Sequence, residues 1–401
     1  MKKKVVIIGA GHGGIQAATS LREEGFEGTI TLISRETELP YQKPPLSKGF
    51  LKGKQTEENI VFRNLSFYED NDILLLLGTT VTHIDLKNKT LATEDEGVWA
   101  YDCLILATGA RNRKLPFYTE GVLDLRTLAD AYHIKERLAK IEHITVIGGG
   151  FIGLEVAAAA IELGKKVTVM EAQDRLMARV LPPILSTVFL EKHHAQGVDV
   201  LLKTSVSNIK NRGGAYQIDL KNNQTIQTNL IVVGIGVLPN SEIAEQAGLT
   251  CENGISVNDY LETSDPSVFA IGDCANYYNA FAERKMRVES VQNAVDQAKC
   301  VVKNILGKRE KYHAVPWFWT NQFDLKLQMA GIALDFDTQI LRGSVEAEKF
   351  SVFYYKNQKL IGVDALNRPA DHLAARKLLQ AGISPTKEQV EDVNFKLNGL
   401  V

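Results

Sequence analysis

The stretch Val5-Val6-Ile7-Ile8-Gly9-Ala10-Gly11-His12-Gly13-Gly14 decides the fold. Its four apolar residues are too few for a helix and read as a buried parallel strand. The glycines then open a helical stretch from Ile15 to Glu24, and a second apolar run, Ile30-Thr31-Leu32-Ile33, follows. The same order returns later: Ile144-Thr145-Val146-Ile147, then Gly148-Gly149-Gly150-Phe151-Ile152-Gly153, a helix from Ile152 to Leu163, and the strand Val167-Thr168-Val169-Met170. Each copy continues through alternating, hairpin-like sequence, around Val81 to Thr93 and Val206 to Val233. Each ends in a strand and a glycine turn, Leu104 to Gly109 and Ile231 to Gly236. The pattern predicts an α/β chain with two Rossmann-like dinucleotide-binding units.

The glycine spacing has a chemical reason. In each loop the first glycine permits a tight turn and the second lets the backbone approach a pyrophosphate. The last, Gly14 or Gly153, allows close packing of helix on strand. The helix N-terminus adds unpaired N–H groups and partial positive charge for the phosphates. In the second copy the following strand ends in Glu171, placed to hold the ribose hydroxyls of NADH and to repel the extra phosphate of NADPH. Arg175 is near enough in sequence to soften that repulsion.

Working outward, 401 residues suggest two to three domains. Apolar residues are 45% and charged residues 23%, which argues against a disordered, collagen-like or coiled-coil chain. Forty-six basic against 48 acidic residues give a net charge of −2, so no general nucleic-acid binding is expected. The basic start Met1-Lys2-Lys3-Lys4 briefly imitates a signal peptide, but its apolar run stops at Gly9. No run is long enough to span a bilayer. Cys103, Cys251, Cys274 and Cys300 are scattered, with no metal spacing and no CxxxxC pair. A soluble protein of a reducing cytoplasm, without a metal site, is expected. After Tyr312 the character changes: strands around Phe350 to Tyr355 and Leu360 to Val363 alternate with a helix from Asp371 to Leu379, reading as a small α+β domain. The expected division is 1–112 with 241–312, then 113–240, then 313–401.

The stretch Pro40-Tyr41-Gln42-Lys43-Pro44-Pro45-Leu46-Ser47-Lys48 resembles the signature of bacterial NADH-dependent ferredoxin reductases of oxygenase systems. Other blocks agree in order along the whole chain: Ala107-Thr108-Gly109-Ala110-Arg111, Leu125-Arg126-Thr127, Ala270 to Ala275, Arg287 to Ala294, and Pro316-Trp317-Phe318-Trp319-Thr320-Asn321-Gln322. The resemblance implies FAD on the first, discontinuous unit and NAD on the second. Gly9, Gly11, His12, Gly13 and Gly14 would surround the FAD pyrophosphate, and Asp273, beside Gly272, would bond its ribityl or phosphate-side hydroxyls. Lys48, Val81, Ala107, Thr108, Gly109 and Val291 would complete the shell; for Arg126 a flavin contact and a surface ion pair stay open. The segment from Glu289 through Ser290 looks like a helix start facing the flavin. Gly148, Gly150, Phe151, Ile152, Gly153, Glu155, Glu171, Gly234 and Gly236 would receive NADH, with Trp319 near the stacked rings.

The resemblance also implies the reaction. Nicotinamide gives electrons in pairs, an iron–sulfur partner takes them singly, and flavin can do both. A two-iron two-sulfur ferredoxin is the expected acceptor, no membrane is involved, and the chain is a monomer or homodimer. A rubredoxin reductase, an NADH-sensing flavoprotein and an NADH oxidase are the alternatives. Two departures from the family pattern stand out. Ser34 is followed by Arg35, with Glu36 one position late, so any of the three could take the FAD ribose. Asn321 stands where Asp is common. Lys48 and Glu155 are expected to meet near the flavin as cation and counter-ion. Lys299, Lys303, Lys308, Arg309 and Lys311, against only Glu310, suggest a docking surface for an acidic ferredoxin. Cys274 reads as a small core residue.

Overall fold

The computed structural model describes residues 2–117 and 120–401. The first glycine loop leaves the strand Lys4–Ile8, the centre of a five-stranded sheet. Its neighbours are Thr29–Ile33 and then Ile73–Leu76 on one side, Cys103–Leu106 and then Val268–Ala270 on the other, all parallel. The second unit repeats this around His143–Ile147. Lys166–Met170 and Val198–Leu201 flank it on one side, Leu230–Val233 and Leu123–Asp124 on the other, again all parallel. Strands such as Leu230–Val233 are buried at every position, as a parallel sheet covered on both faces requires.

The helices after the loops run His12–Glu23 and Phe151–Glu162, each starting a few residues or less before the sequence expectation because glycine serves as N-cap. Both hairpin segments form small antiparallel sheets. The chain leaves the first unit through Ala110–Asn112 and returns through Val237–Pro239, and these two crossings pair antiparallel. Thr108 and Asn240 lock the crossing: the Thr108 hydroxyl donates to the Asn240 carbonyl (2.6 Å), and the Asn240 amide donates to the Thr108 carbonyl (2.8 Å).

The C-terminal part is a five-stranded antiparallel sheet in the order Trp317–Gln322, Leu325–Gly331, Lys359–Leu366, Lys349–Lys356, Thr338–Ser344. One face packs under the helix Pro369–Ala381 through Val363, Phe353, Ala375 and Leu378. The other joins the core of the second unit through Leu325, Val352, Tyr354 and Leu366. This shared core fixes the C-terminal sheet against the second glycine-loop helix, and so places Phe318 and Trp319 at the mouth between the units. None of the helices among the described residues is long and apolar enough to cross a membrane.

Candidate functional site

Both glycine loops lie at the C-terminal edges of their sheets, where open α/β sheets bind ligands. They face one cavity of about 1680 Å³. Since a site for one drug-sized ligand is roughly 300–1,000 Å³, this space can take two dinucleotides at once. Every residue expected at the site lines it except Gly14 and Gly153. Those two stand behind the wall: a Cβ on Gly14 would sit 1.8 Å from the Gly9 carbonyl oxygen, and one on Gly153 would sit 2.2 Å from that of Gly148. They let the helix close on the loop. Gly11 is different, because a Cβ there would meet nothing within 4 Å. The protein leaves that space free in front of a helix N-terminus, which suits a dinucleotide's pyrophosphate.

Where the two units meet, Lys48 Nζ lies 2.6 Å from Glu155 Oε2. Glu155 is 3% exposed. Ser47 donates to its Oε2 (2.6 Å) and Thr320 to its Oε1 (2.6 Å). One buried carboxylate therefore joins the first unit, the second unit and the C-terminal sheet. Three donors, Lys48, Ser47 and Thr320, converge on it, as a buried charge requires.

Around the first loop, Arg126 pairs with Asp273 (2.8 Å), and Arg287 donates to the Asp273 carbonyl (2.7 Å). His12 stacks edge-on against Phe62 at 4.9 Å. Burial, then Lys43, pushes its pKa down to about 4, against the pull of Asp273. The helix after Glu289 begins at Val291 with Ser290 as its cap, the Ser290 hydroxyl accepting from Asn293 N (3.1 Å). Its first-turn N–H groups, out of reach of intrahelical carbonyls, lie at the cavity wall.

The three candidates at the end of the second strand are now distinct. Ser34 is buried and its hydroxyl accepts from Glu36 N (3.2 Å), whereas Arg35 is exposed. Glu36 is held by the Tyr41 hydroxyl and by Lys43 (3.0 Å). Burial lowers the Lys43 pKa, opposed by Glu36. In the second unit Glu171 accepts from Gly149 N (2.7 Å) and Gln173 N (2.8 Å), which fixes it beside the loop.

Several expectations change. The guanidinium of Arg175 bonds the carbonyls of Leu181 and Ala178 and makes no ion pair with Glu171. Arg179, unremarked in the sequence, lines the cavity instead. The basic stretch near residue 308 is also corrected. Lys303 pairs with Glu310 (2.7 Å), Lys308 with Glu24 (2.5 Å), Arg309 with Glu262 (2.6 Å) and Lys311 with Asp259 (2.9 Å). It lies past the far end of a 15-residue helix, roughly 22 Å from the cavity-lining start at Val291. Cys274 is fully buried, its thiol donating to the Ile271 carbonyl (3.2 Å), and burial raises its pKa. That is a core residue.

A second, smaller cavity of about 400 Å³ shares His12, Pro44, Lys48, Val291 and Trp319 with the first and adds Gln55, Phe62 and Val295. It is another opening onto the same place. Beside it Trp319 packs against Trp317 (5.4 Å), whose ring carries the Arg376 guanidinium at 4.8 Å. Sequence reading missed Tyr41, Lys43, Ser47 and Thr320, whose roles arise only from contacts across the fold.

Comparisons with known proteins agree with this geometry. Residues 3–298 match the family model described as pyridine nucleotide-disulphide oxidoreductase, and residues 317–401 the model described as reductase C-terminal. Rhodocoxin reductase of Rhodococcus erythropolis is 45% identical over 397 residues, covering 98% of this chain and 93% of the relative. A rubredoxin-NAD(+) reductase of Pseudomonas putida is 40% identical over 369 residues, covering 91% and 96%. The crystal structure of a ferredoxin reductase from Rhodopseudomonas palustris superposes with a TM-score of 0.96 at 42% identity, covering 99% of each chain. Two glycine loops on one cavity, a family match across both units and relatives aligned nearly end to end lead to one conclusion: the chain belongs to the pyridine nucleotide-disulphide oxidoreductase family.

Proposed function

We propose that this protein passes electrons from NADH through FAD to a small two-iron two-sulfur ferredoxin that feeds an oxygenase. The observation that carries this reading is the Lys48–Glu155 pair, set between the two glycine loops on the one cavity that both share. The division of labour we propose is FAD on residues 1–112 and 241–312, NAD on 113–240, and a C-terminal domain over 313–401.

When bound, FAD would take electrons in pairs from NADH and give them up singly to an iron–sulfur centre. The chain's own residues do the rest. The N–H groups after Gly11 and Gly150 receive the two pyrophosphates. Lys48 holds a positive charge at the junction, and Glu155, with Ser47 and Thr320 bonded to it, fixes that charge in place. Charge fixed before the reaction needs no reorganisation during it. The N-terminus of the helix Val291–Ile305 adds partial positive charge from the other side. Glu171 takes the adenosine ribose of NADH.

A protein acceptor that works while nucleotide fills the large cavity needs its own way in, and the smaller opening beside Trp319 provides one. Lys299, which is exposed, and Arg376 both pull on Asp296 near that opening, so cations are present there. The test is NADH-driven reduction of a panel of two-iron ferredoxins and rubredoxins, with Lys299→Glu/Arg376→Glu and Lys308→Glu/Arg309→Glu variants. We expect ferredoxins to be preferred. The first pair should slow ferredoxin reduction and flatten its salt dependence, with ferricyanide reduction intact. The second pair should change neither. Preference for rubredoxin would overturn the choice of acceptor.

A further inference from the structure

Asp364 lies in the C-terminal sheet, outside the motifs that carry the proposed chemistry, yet it lines the large cavity. Strand pairing places it. Phe318 stands opposite Met329, and Met329 opposite Asp364. Opposed residues share a face, and strands lie about 4.8 Å apart, so Asp364 stands about 10 Å along the sheet from Phe318. Phe318 in turn packs at 4.7 Å on Phe151, the first residue of the helix that opens at the second glycine loop. The carboxyl therefore belongs to the nucleotide half of the cavity.

Its surroundings are those of a proton site. Asp364 is 3% exposed. Tyr354 donates to Oδ2 at 2.8 Å, and the Phe336 ring covers Tyr354 at 5.0 Å. The Tyr354 bond is the only hydrogen bond to this carboxyl among the described residues, and the residue lines the cavity. The titratable groups nearby are engaged or elsewhere. Across the shared core, Glu155 is bound to Lys48, Lys192 pairs with Asp324 and Glu348, and His193 is bonded to Gln322. On the neighbouring strands Lys326, Lys349 and Lys356 are not buried. Asp371, His372 and Arg376 belong to the helix on the opposite face of the sheet. Burial raises the Asp364 pKa to about 7, opposed only by the Tyr354 bond.

We propose that Asp364 is a proton-linked positioning residue for the pyridine nucleotide, taking up a proton when the nucleotide binds. This rests on the reading that the second unit receives NAD(H). The physical reason is simple. An incoming dinucleotide brings two phosphate charges and a row of acceptor oxygens. An ionised carboxylate on the wall repels these, whereas a carboxylic acid can donate its O–H from the oxygen that Tyr354 does not occupy. The balance is one proton from solvent onto one carboxylate.

The test uses the FAD-loaded protein and NAD⁺, which binds without turnover. Calorimetric titration at pH 7 in two buffers of different ionisation heat counts the protons taken up. If only the acid form binds, uptake is about half a proton there, and Kd weakens about tenfold from pH 6 to pH 8. Asp364→Asn should abolish the uptake and flatten the pH dependence. Tyr354→Phe, which keeps the carboxyl and removes the bond that lowers its pKa, should move the midpoint to higher pH. Zero uptake by the wild type, or wild-type uptake by Asp364→Asn, would overturn the proposal. If NAD⁺ fails to bind at any pH, the reading beneath it falls as well.

Discussion

The two glycine loops differ less in backbone than in what stands beside them. Ile8 pairs with Ile33 and Ile147 with Met170, so Ser34 in the first unit occupies the register of Glu171 in the second. Glu171 accepts one backbone N–H on each oxygen and keeps further lone pairs for a ligand. Ser34 offers a hydroxyl, and the nearest acid, Glu36, is committed to Tyr41 and Lys43. Tyr41 also accepts from Leu128 N (2.8 Å), so this acid serves a network that ties the first unit to the chain beyond it. The lesson is that one scaffold, used twice, receives two different nucleotides through its strand ends and its neighbours, while the phosphate cradle is held constant.

The largest effect should come from filling each cradle. Gly11 has φ −76°, and a Cβ there meets no protein atom within 4 Å. Gly150 has φ −84°, and its Cβ would come no closer than 3.9 Å to the Gly234 carbonyl oxygen. A Cβ at either position therefore meets no protein atom closer than ordinary contact, so a valine there is aimed at the ligand's space. Gly11→Val should give a folded, colourless protein. Gly150→Val should give a yellow protein that no longer binds NADH. Absorbance and nucleotide titration distinguish them, and full FAD occupancy in Gly11→Val would sink the assignment of FAD to the first unit. The same substitution at Gly14, where Cβ collides with Gly9, should instead prevent folding.

The repeated strand, loop and helix were legible in the sequence because each is local. Four apolar residues, glycines at set spacings and a helical stretch need no distant partner to be recognised. What depends on distant partners was harder. Lys48 and Glu155 were placed together only through family resemblance, and Ser47 and Thr320, 108 and 165 residues from Glu155, stood in family blocks without any role assigned to them. The basic stretch ending at Lys311 looked unopposed in sequence. Its counter-ions, Glu24, Glu262 and Asp259, come from other segments. Arg175 failed for the same reason, its partners being loop carbonyls that folding brings round. Asp364 sits in a strand that is otherwise apolar after Lys359 and belongs to none of the blocks that carried the resemblance.

A middle-sized effect is expected at the junction that the two units share. Lys48→Ala leaves a buried carboxylate with hydroxyl partners only, so some loss of stability accompanies it. The informative readout is the single-turnover reduction of bound FAD at saturating NADH. It should slow roughly a hundredfold, the lower end of the scale for removing a fixed charge-stabilising group. Glu155→Gln keeps the shape and releases Lys48 from its counter-ion. If the two residues act as one unit, the double variant should be no worse than the poorer single variant. An unchanged reduction rate in Lys48→Ala would reduce the pair to a structural link between units.

The smallest effect tests the strand-end difference itself. A carboxylate about 4 Å from the extra phosphate of NADPH costs about 1 to 4 kcal/mol between the dielectric of water and that of a protein surface. Glu171 is only half-buried, which favours the lower part of that range. Discrimination of roughly fivefold to thirtyfold against NADPH follows, since 1.4 kcal/mol is about tenfold. Arg175 is held by the Leu181 and Ala178 carbonyls and makes no direct ion pair with Glu171. Glu171→Gln removes the charge and keeps one amide oxygen, enough for one of the two backbone N–H groups. The ratio of kcat/KM for NADPH over NADH should rise by that same factor, with FAD content unchanged because the first unit is untouched. Ser34→Glu, at the matching register in the first unit, should leave the ratio alone. If Glu171→Gln leaves it alone too, coenzyme choice resides elsewhere, and Arg179 on the cavity wall is the next residue to replace.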